Sequence, residues 1–228
     1  MERKLVSKPI KDGKTLYYRE NSSDMAMWKE NPYKNFPFDS SDVILDVGGN
    51  IGDIPLRFSE KVKWIHSYEP MKDTFKVMTK NITKNSIKNC TTYNVAVAAT
   101  TGETIIYFND KAKLSHASAS TVPVRGRKKI KVKTLSFRDE IERVKPTIIK
   151  MDIEGGEYDI LESVPDSAFK NCRLFSLEVH VRVIKKEDGF KWNRKIGKRF
   201  KKLFGHGVER KIYYFKNHEC SLWEFRRK

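Results

Sequence analysis

Two segments of this 228-residue chain carry residue types whose spacing suits chemistry. The first is Asp46-Val-Gly-Gly-Asn-Ile-Gly52, at the end of the apolar run Val43–Val47. Glycines directly after a buried strand let the backbone approach a ligand closely and take conformations that a side chain forbids. Ligands of open α/β sheets sit beyond the carboxyl ends of strands, where such a turn lies. The pattern is D-x-G-x-x-x-G, not the G-x-G-x-x-G of a pyrophosphate cradle, and no Lys-Ser/Thr of a triphosphate loop follows it. Nicotinamide dinucleotides and ATP are therefore disfavoured. Glu69, followed by Pro70, ends the next apolar run 23 residues after Asp46. A carboxylate there can accept hydrogen bonds from both ribose hydroxyls of a nucleoside. Alone, each segment reads as an ordinary turn. Together they predict a nucleoside cofactor, and S-adenosylmethionine fits best because its amino-acid tail needs close backbone approach rather than a pyrophosphate site.

The second segment is Ile149-Lys-Met-Asp-Ile-Glu-Gly-Gly-Glu157. Lys150, Asp152 and Glu154 alternate, so a strand running through them projects all three to one side while Ile149, Met151 and Ile153 pack on the other. Glu178 and His180 alternate in the same way in Leu-Glu-Val-His. Charges at strand ends are costly to desolvate unless they bind a ligand or one another. The plainer reading is a Lys–Asp pair with a carboxylate near a helix N-terminus. The functional one is a convergent site in which carboxylates raise the basicity of His180 and make it a general base. Hard oxygen ligands at Asp152 and Glu178, with Glu154 or His180 beside them, would also suit magnesium or manganese. The same groups would serve equally without an ion.

The elements that must position these residues alternate. Strands are predicted at Val43–Val47, Trp64–Tyr68, Thr91–Val97, Thr147–Ile153 and Leu174–Val181, with helical spacing after most of them. Thr104–Phe108 and Lys129–Leu135 read as an added pair of strands, and Lys211–Phe215 with Leu222–Phe225 as a closing antiparallel hairpin. Strands alternating with helices imply a mostly parallel sheet covered on both faces, a doubly wound α/β domain of about seven strands. Residues 1–40 mix aromatics and charges without a period and read as an N-terminal extension of turns and short helices over the active site, with the domain proper at 41–228.

Composition narrows the classes further. With 13 Phe, 9 Tyr and 4 Trp the chain has material for a core and is not a disordered polycation. No apolar run reaches membrane-spanning length and no secretory h-region is present, so a cytoplasmic protein is expected. Cys90, Cys172 and Cys220 are odd in number and widely spaced, which supports neither a disulfide framework nor a structural zinc site. The net charge of +17 points to a polyanionic partner, an anionic membrane surface or a well-solvated exterior.

Read in order, D-V-G-G-N-I-G, then Y-E-P, N-V-A-V from Asn94, V-K-T-L from Val132, and I-I-K-M-D-I-E-G-G-E resemble the FkbM-type S-adenosylmethionine-dependent methyltransferases over residues 42–180. The resemblance implies a Rossmann-like class I methyltransferase fold. It implies that Asp46, Gly48, Gly49, Asn50 and Gly52 contact the methionine part of the cofactor and that Glu69 and Pro70 lie at the ribose. Asn94, Val95 and Ala96 would lie near the adenine, and Lys150, Asp152, Glu154 and His180 would face the transferred methyl. The family commonly has T-L-D where this chain has Thr134-Leu135-Ser136, so no role falls to an aspartate there.

The family's usual acceptors are hydroxyls of sugars and polyketides, which makes a sugar or glycan O-methyltransferase the first reading. A hydroxyl is a weak nucleophile at neutral pH and needs a positioned base; His180 or Asp152 would supply it, with Lys150 orienting the acceptor or stabilising developing charge. The charge favours a rival, a nucleic-acid methyltransferase of the ribose 2′-O or cap type. Lys111–Lys133 holds eight Lys or Arg and no acid, and from Lys185 onward fifteen basic residues face five acidic ones. Trp192, Phe200 and Phe204 interleave with these bases as either a phosphate-contacting helix or a core-facing stripe. A non-catalytic binding module is the third reading, against which the charged strand ends argue.

Overall fold

A computed structural model describes residues 3–108, 119–121, 123, 128–180, 186–214 and 218–227. Most of the basic segment 111–127 lies outside them, as do Val181 and Phe215, the ends of two predicted strands. The chain opens with a hairpin, β1 (Leu5–Pro9) and β2 (Thr15–Arg19), and a short helix, α1 (Asp24–Glu30). The alternating core then runs β3 (Val43–Val47), α2 (Asp53–Phe58), β4 (Trp64–Tyr68), α3 (Lys72–Lys84) and β5 (Cys90–Tyr93). After β6 (Ala96–Ala98), β7 (Gly102–Phe108) and β8 (Lys128–Ser136) come α4 (Phe137–Val144), β9 (Ile148–Met151), α5 (Glu157–Ser163) and β10 (Leu174–Val179). The chain continues through α6 (Lys186–Phe204) into β11 (Gly205–Tyr214) and β12 (His218–Arg227).

Seven strands form one sheet in the order β11-β12-β10-β9-β3-β4-β5. The five from β10 to β5 are parallel, and β12 is antiparallel to both of its neighbours. The predicted doubly wound sheet with a C-terminal hairpin is thus present, and its hairpin strands are ten residues each. The predicted added strands β7 and β8 pair antiparallel, joined by β6 in a separate three-stranded sheet.

Both faces of the main sheet are buried, which follows from the near-continuous apolar runs of its strands. Leu45, Val47, Ile149 and Met151 face Phe137 and Ile141 of α4, Ile160 of α5 and Trp192, Ile196 and Phe200 of α6. Ile44, Ile65 and Ile148 on the other face pack against Ile54 and Phe58 of α2 and against Tyr33 and Phe36. Ser136, the residue standing in for the family aspartate, caps α4 by accepting a hydrogen bond from Asp139 N at 3.3 Å.

The N-terminal segment differs from the expected turns and short helices by its hairpin. Its strand β2 docks on α3 through two asparagines one turn apart. Asn81 and Asn85 each accept from and donate to a backbone group of Tyr17 and Thr15, at 2.7–2.9 Å. Arg19 grips Asp24 at the start of α1 with two nitrogens and donates to Thr74 of α3. Among the described residues no helix is long and apolar enough to cross a membrane.

Candidate active site

Across the middle of the sheet the register aligns Ser67 of β4, Asp46 of β3, Lys150 of β9 and Ser176 of β10 in one row. Each follows, two residues on, an apolar residue of the same face: Ile65, Ile44, Ile148 and Leu174. The row lies just below the carboxyl ends of the strands and is buried. Ser67 Oγ donates to Asp46 Oδ2 at 2.6 Å, and Lys150 Nζ lies 3.5 Å from Asp46 Oδ1 while donating to the Gly48 carbonyl at 2.5 Å. Burial pushes the Asp46 carboxyl upward against the pull of Lys150. Burial also works against the Lys150 ammonium, and Asp46 with Asp152 more than offsets it, so that lysine stays charged.

Above the row the Gly-rich turn packs tightly against the loop after β9. Gly48 has φ +87, and a Cβ there would stand 1.9 Å from the Asp152 carbonyl oxygen. Asp152 N donates to Val47 O at 3.0 Å, so the two loops are bonded face to face. Gly52, at φ +94, starts α2 and does not border the cavities.

Two adjoining cavities open here. The first, about 690 Å³, is bordered by Gly48, Asn50, Glu69, Pro70, Ala96 and Ile106 among others. The Glu69 carboxylate accepts from Asn50 N at 3.1 Å and Met71 N at 2.8 Å, and burial raises its pKa to about 7 against those two bonds. The second cavity, about 430 Å³, is bordered by Asp46, Gly49, Asp53, Lys150, Glu178 and Glu30 among others. Met27, Gly48, Asn50 and Asp152 border both. Of the three residues expected near an adenine, only Ala96 borders a cavity. Asn94 donates instead to the Glu69 and Pro70 carbonyls, fixing that turn from behind, and Val95 packs on the core.

Lys150, Asp152, Glu154, Glu178 and His180 do converge, by a route different from the predicted one. Strand β9 ends at Met151, and Glu154 sits in the left-handed region at φ 57, followed by Gly155 at φ 109. The alternation that would continue a strand is therefore broken after Met151, and a loop brings the acids together. His180 Nε2 is 3.5 Å from Glu154, 3.5 Å from Glu178 and 3.8 Å from Asp152. Its Nδ1 is 3.0 Å from Glu157 Oε1. Glu157, outside the predicted site although it closes the quoted motif, holds this arrangement: it also accepts from Ile153 N at 3.1 Å and Gly155 N at 2.8 Å.

Burial alone would strip His180 of its proton, but Glu154 and Glu157 raise its pKa well above 6.5. An imidazole that holds its proton this firmly donates hydrogen bonds, which weighs against the expected role as base. Burial and Asp152 push Glu178 up to about 8. Asp152, Glu154 and His180, like Glu178, His180 and Cys220, bring ligand atoms within 4.8 Å of one another, and in the ion-free arrangement the acids beside His180 hold its imidazolium.

Met27, Asp53, Ser67 and Ile106 also belong to the site or its support. Asp53 directly follows the glycine motif and Ser67 lies two residues before Glu69, so both were within reach of the strand period. Met27 and Ile106 carried no such mark. The aromatic positions of α6 face inward: Trp192, Phe200 and Phe204 are 4%, 0% and 2% exposed. They are not available to stack on bases, and Lys195 and Arg199 beside them pair with Glu162 and Asp166.

Known proteins resemble the chain in the same region. The hexuronic acid methyltransferase AglP of Haloferax volcanii is 26% identical over 152 residues, 65% of this chain and 60% of that protein. Methyltransferase 1 of Beauveria bassiana is 26% identical over 156 residues, 59% of this chain and 63% of that one. The chain thus spans less than two thirds of either relative's length. The structure of M. jannaschii TYW2 in complex with AdoMet superposes with a TM-score of 0.51 at 11% identity, covering 100% of this chain and 89% of that one, a likeness of fold. The pattern of the methyltransferase FkbM domain matches residues 46–205. The fold is that of the class I methyltransferases, and the chain belongs to the FkbM methyltransferase family.

Proposed function

We propose that the protein is an S-adenosylmethionine-dependent O-methyltransferase acting on a hydroxyl of a sugar or glycan. The observation that carries the reading is Asp152, which borders both cavities, so that one carboxylate faces a cofactor on one side and an acceptor on the other. The residues fit the cofactor. Gly48 leaves room where a Cβ would collide, Asn50 Oδ1 is buried without a hydrogen-bond partner, and the Glu69 carboxylate borders the larger cavity. Glu69 would hold the ribose and the Gly48–Asn50 turn the amino-acid tail. When bound, the cofactor supplies an electrophilic methyl group for in-line displacement.

The chain's own groups divide the remaining work. Asp152 accepts the acceptor's hydroxyl proton as general base. Lys150, 3.9 Å from Asp152 Oδ2, and His180, 3.8 Å from Oδ1, hold that carboxylate in place. Glu154 and Glu178 complete the ring around His180.

AglP is named as a hexuronic acid methyltransferase, which supports a sugar acceptor. The test is label transfer from S-adenosylmethionine across glycans, capped RNA and small hydroxylated acceptors. Label on a sugar and none on RNA is expected; label on RNA alone would overturn the reading. Asp152→Ala should lose methyl transfer by about 10²-fold or more, the usual scale for a positioned base. Its affinity for S-adenosylhomocysteine, read by calorimetry, should stay within about threefold.

A further inference from the structure

Where the end of β10 meets the start of β12, the fold gathers a thiol, an imidazole and a carboxylate. Glu178 pairs across the ladder with Leu222, and Val179 with Ser221. Strand alternation therefore sets Glu178 and His180 on the same face as Cys220 of the neighbouring strand. All three are buried, Cys220 is a free thiol, and their ligand atoms lie within 4.8 Å of one another. Asp152 and Glu154 approach the same imidazole from the loop after β9. The cysteine spacing that argued against a zinc site could not register this set, because strand pairing and not sequence proximity brings Cys220 to His180.

Two features of the geometry point to an ion among these groups. The first is spacing. His180 Nε2 stands 3.5 Å from Glu178, 3.5 Å from Glu154 and 3.8 Å from Asp152. These separations exceed the ~2.7–3.2 Å of an N–H···O hydrogen bond. Nitrogen and oxygen ligands sharing one tetrahedral zinc, each bonded at about 2.0–2.2 Å, stand about 3.3–3.6 Å apart. The second is the other ring nitrogen. Nδ1 lies 3.0 Å from Glu157 Oε1, and the Ile153 and Gly155 amides hold Glu157 in turn. A carboxylate on the far nitrogen is the outer partner that orients a metal-binding histidine, here aiming Nε2 at the shared space. Thiolate and imidazole select zinc, whereas magnesium and manganese take oxygen ligands. We propose that His180 Nε2, Cys220 Sγ and the Glu178 carboxylate bind a zinc ion, with the fourth position toward Asp152 and Glu154. The Cys220 thiol and the His180 imidazolium release their protons to solvent as the ion binds. Zinc there ties the start of β12 to the end of β10, and Asp152 stays the base. The site goes beyond the methyltransferase reading and does not depend on it.

The full chain, stripped of metal with a chelator, is titrated with zinc alone and separately with cobalt(II) alone. One zinc per chain is expected, with a Kd below about 1 μM and a rise in Tm. Cobalt should give the strong ligand-field absorption of a tetrahedral site together with a thiolate-to-cobalt charge-transfer band. Cys220→Ser should abolish that band and weaken zinc at least tenfold, whereas Cys90→Ser should keep both. Glu157→Gln should keep the band and weaken zinc by about tenfold or more, the scale of a lost outer partner. Absence of stoichiometric zinc in the wild-type chain overturns the site, a result that no folding defect of a variant can imitate. A wild-type cobalt spectrum without the thiolate band overturns it as well, by leaving the ion to carboxylates alone. So does a band that survives Cys220→Ser. Each readout is metal binding, so a failure of methyl transfer leaves the zinc assignment standing, and the reverse holds too.

Discussion

At the scale of single residues, two groups carry testable weight. Gly48 combines a left-handed φ of +87 with a space that the Asp152 carbonyl already fills. Gly48→Ala therefore adds backbone strain of about 1–3 kcal/mol and also drives apart two loops that are bonded through Asp152 N. A lower Tm and at least tenfold weaker S-adenosylhomocysteine binding are expected; wild-type affinity would contradict the close approach. Glu69 adds a pH dependence. Its pKa lies near 7 in the folded chain against an ordinary 4.5, because it is buried. The folded state then holds more protons than the unfolded one between these values, so stability from this group is present below about 4.5 and falls as pH rises toward 7. Ribose hydroxyls donate best to an ionised carboxylate, so cofactor affinity runs the other way and tightens between pH 6 and 8. Glu69→Gln should flatten both slopes, read by calorimetric titration and by Tm across pH. Residue types made Asp46, Glu69 and Asp152 legible in the sequence. They did not reveal that Lys150 serves the Gly48 carbonyl, since a lysine on a strand end looks the same whether it meets a ligand or a loop.

At the scale of elements, the apolar runs of β3 and β4 were read to the residue because both faces of a parallel strand are buried. The pattern misled where side chains compete for the backbone. Strand β9 was expected to reach Ile153, but Glu157 takes the Ile153 and Gly155 amides and turns the chain. The predicted strand Thr91–Val97 divides into β5 and β6 at Asn94, whose side chain serves the Glu69 and Pro70 carbonyls. The N-terminal hairpin was illegible because β1 is largely exposed and β2 finds part of its pairing on helix side chains rather than a strand. Asn81 is the joint: it is fully buried, pairs with both backbone groups of Tyr17 and donates to the Ile51 carbonyl of the glycine-rich turn at 2.8 Å. Asn81→Ala leaves those groups unmet at about 1–3 kcal/mol each. Hydrogen exchange should accelerate over 15–19 and around Ile51 while β9 and β10 stay protected. Unchanged exchange in the hairpin would remove Asn81 as its anchor.

At the scale of the whole molecule, the charge and the site point in different directions. The apolar side of α6 is built into the core, and its basic side, with Lys191, Arg194, Lys198 and Lys202 exposed, faces solvent. On β8, Lys131 pairs with Glu103 across the sheet. These charges lie on surfaces where the Debye length of about 8 Å at physiological salt screens them. A protein whose surface drew in a polyanionic acceptor would lose orders of magnitude of affinity as salt rises from about 50 to 200 mM, because counterion release scales with each phosphate contact. A sugar acceptor that makes no phosphate contacts releases none. The acceptor KM should therefore change by less than about twofold over that range. Reversing charge with Lys191→Glu, Lys198→Glu and Lys202→Glu together should leave both kcat and KM for the sugar unchanged. A steep salt slope, or a KM that rises only in the triple variant, would return the basic face of α6 to acceptor binding.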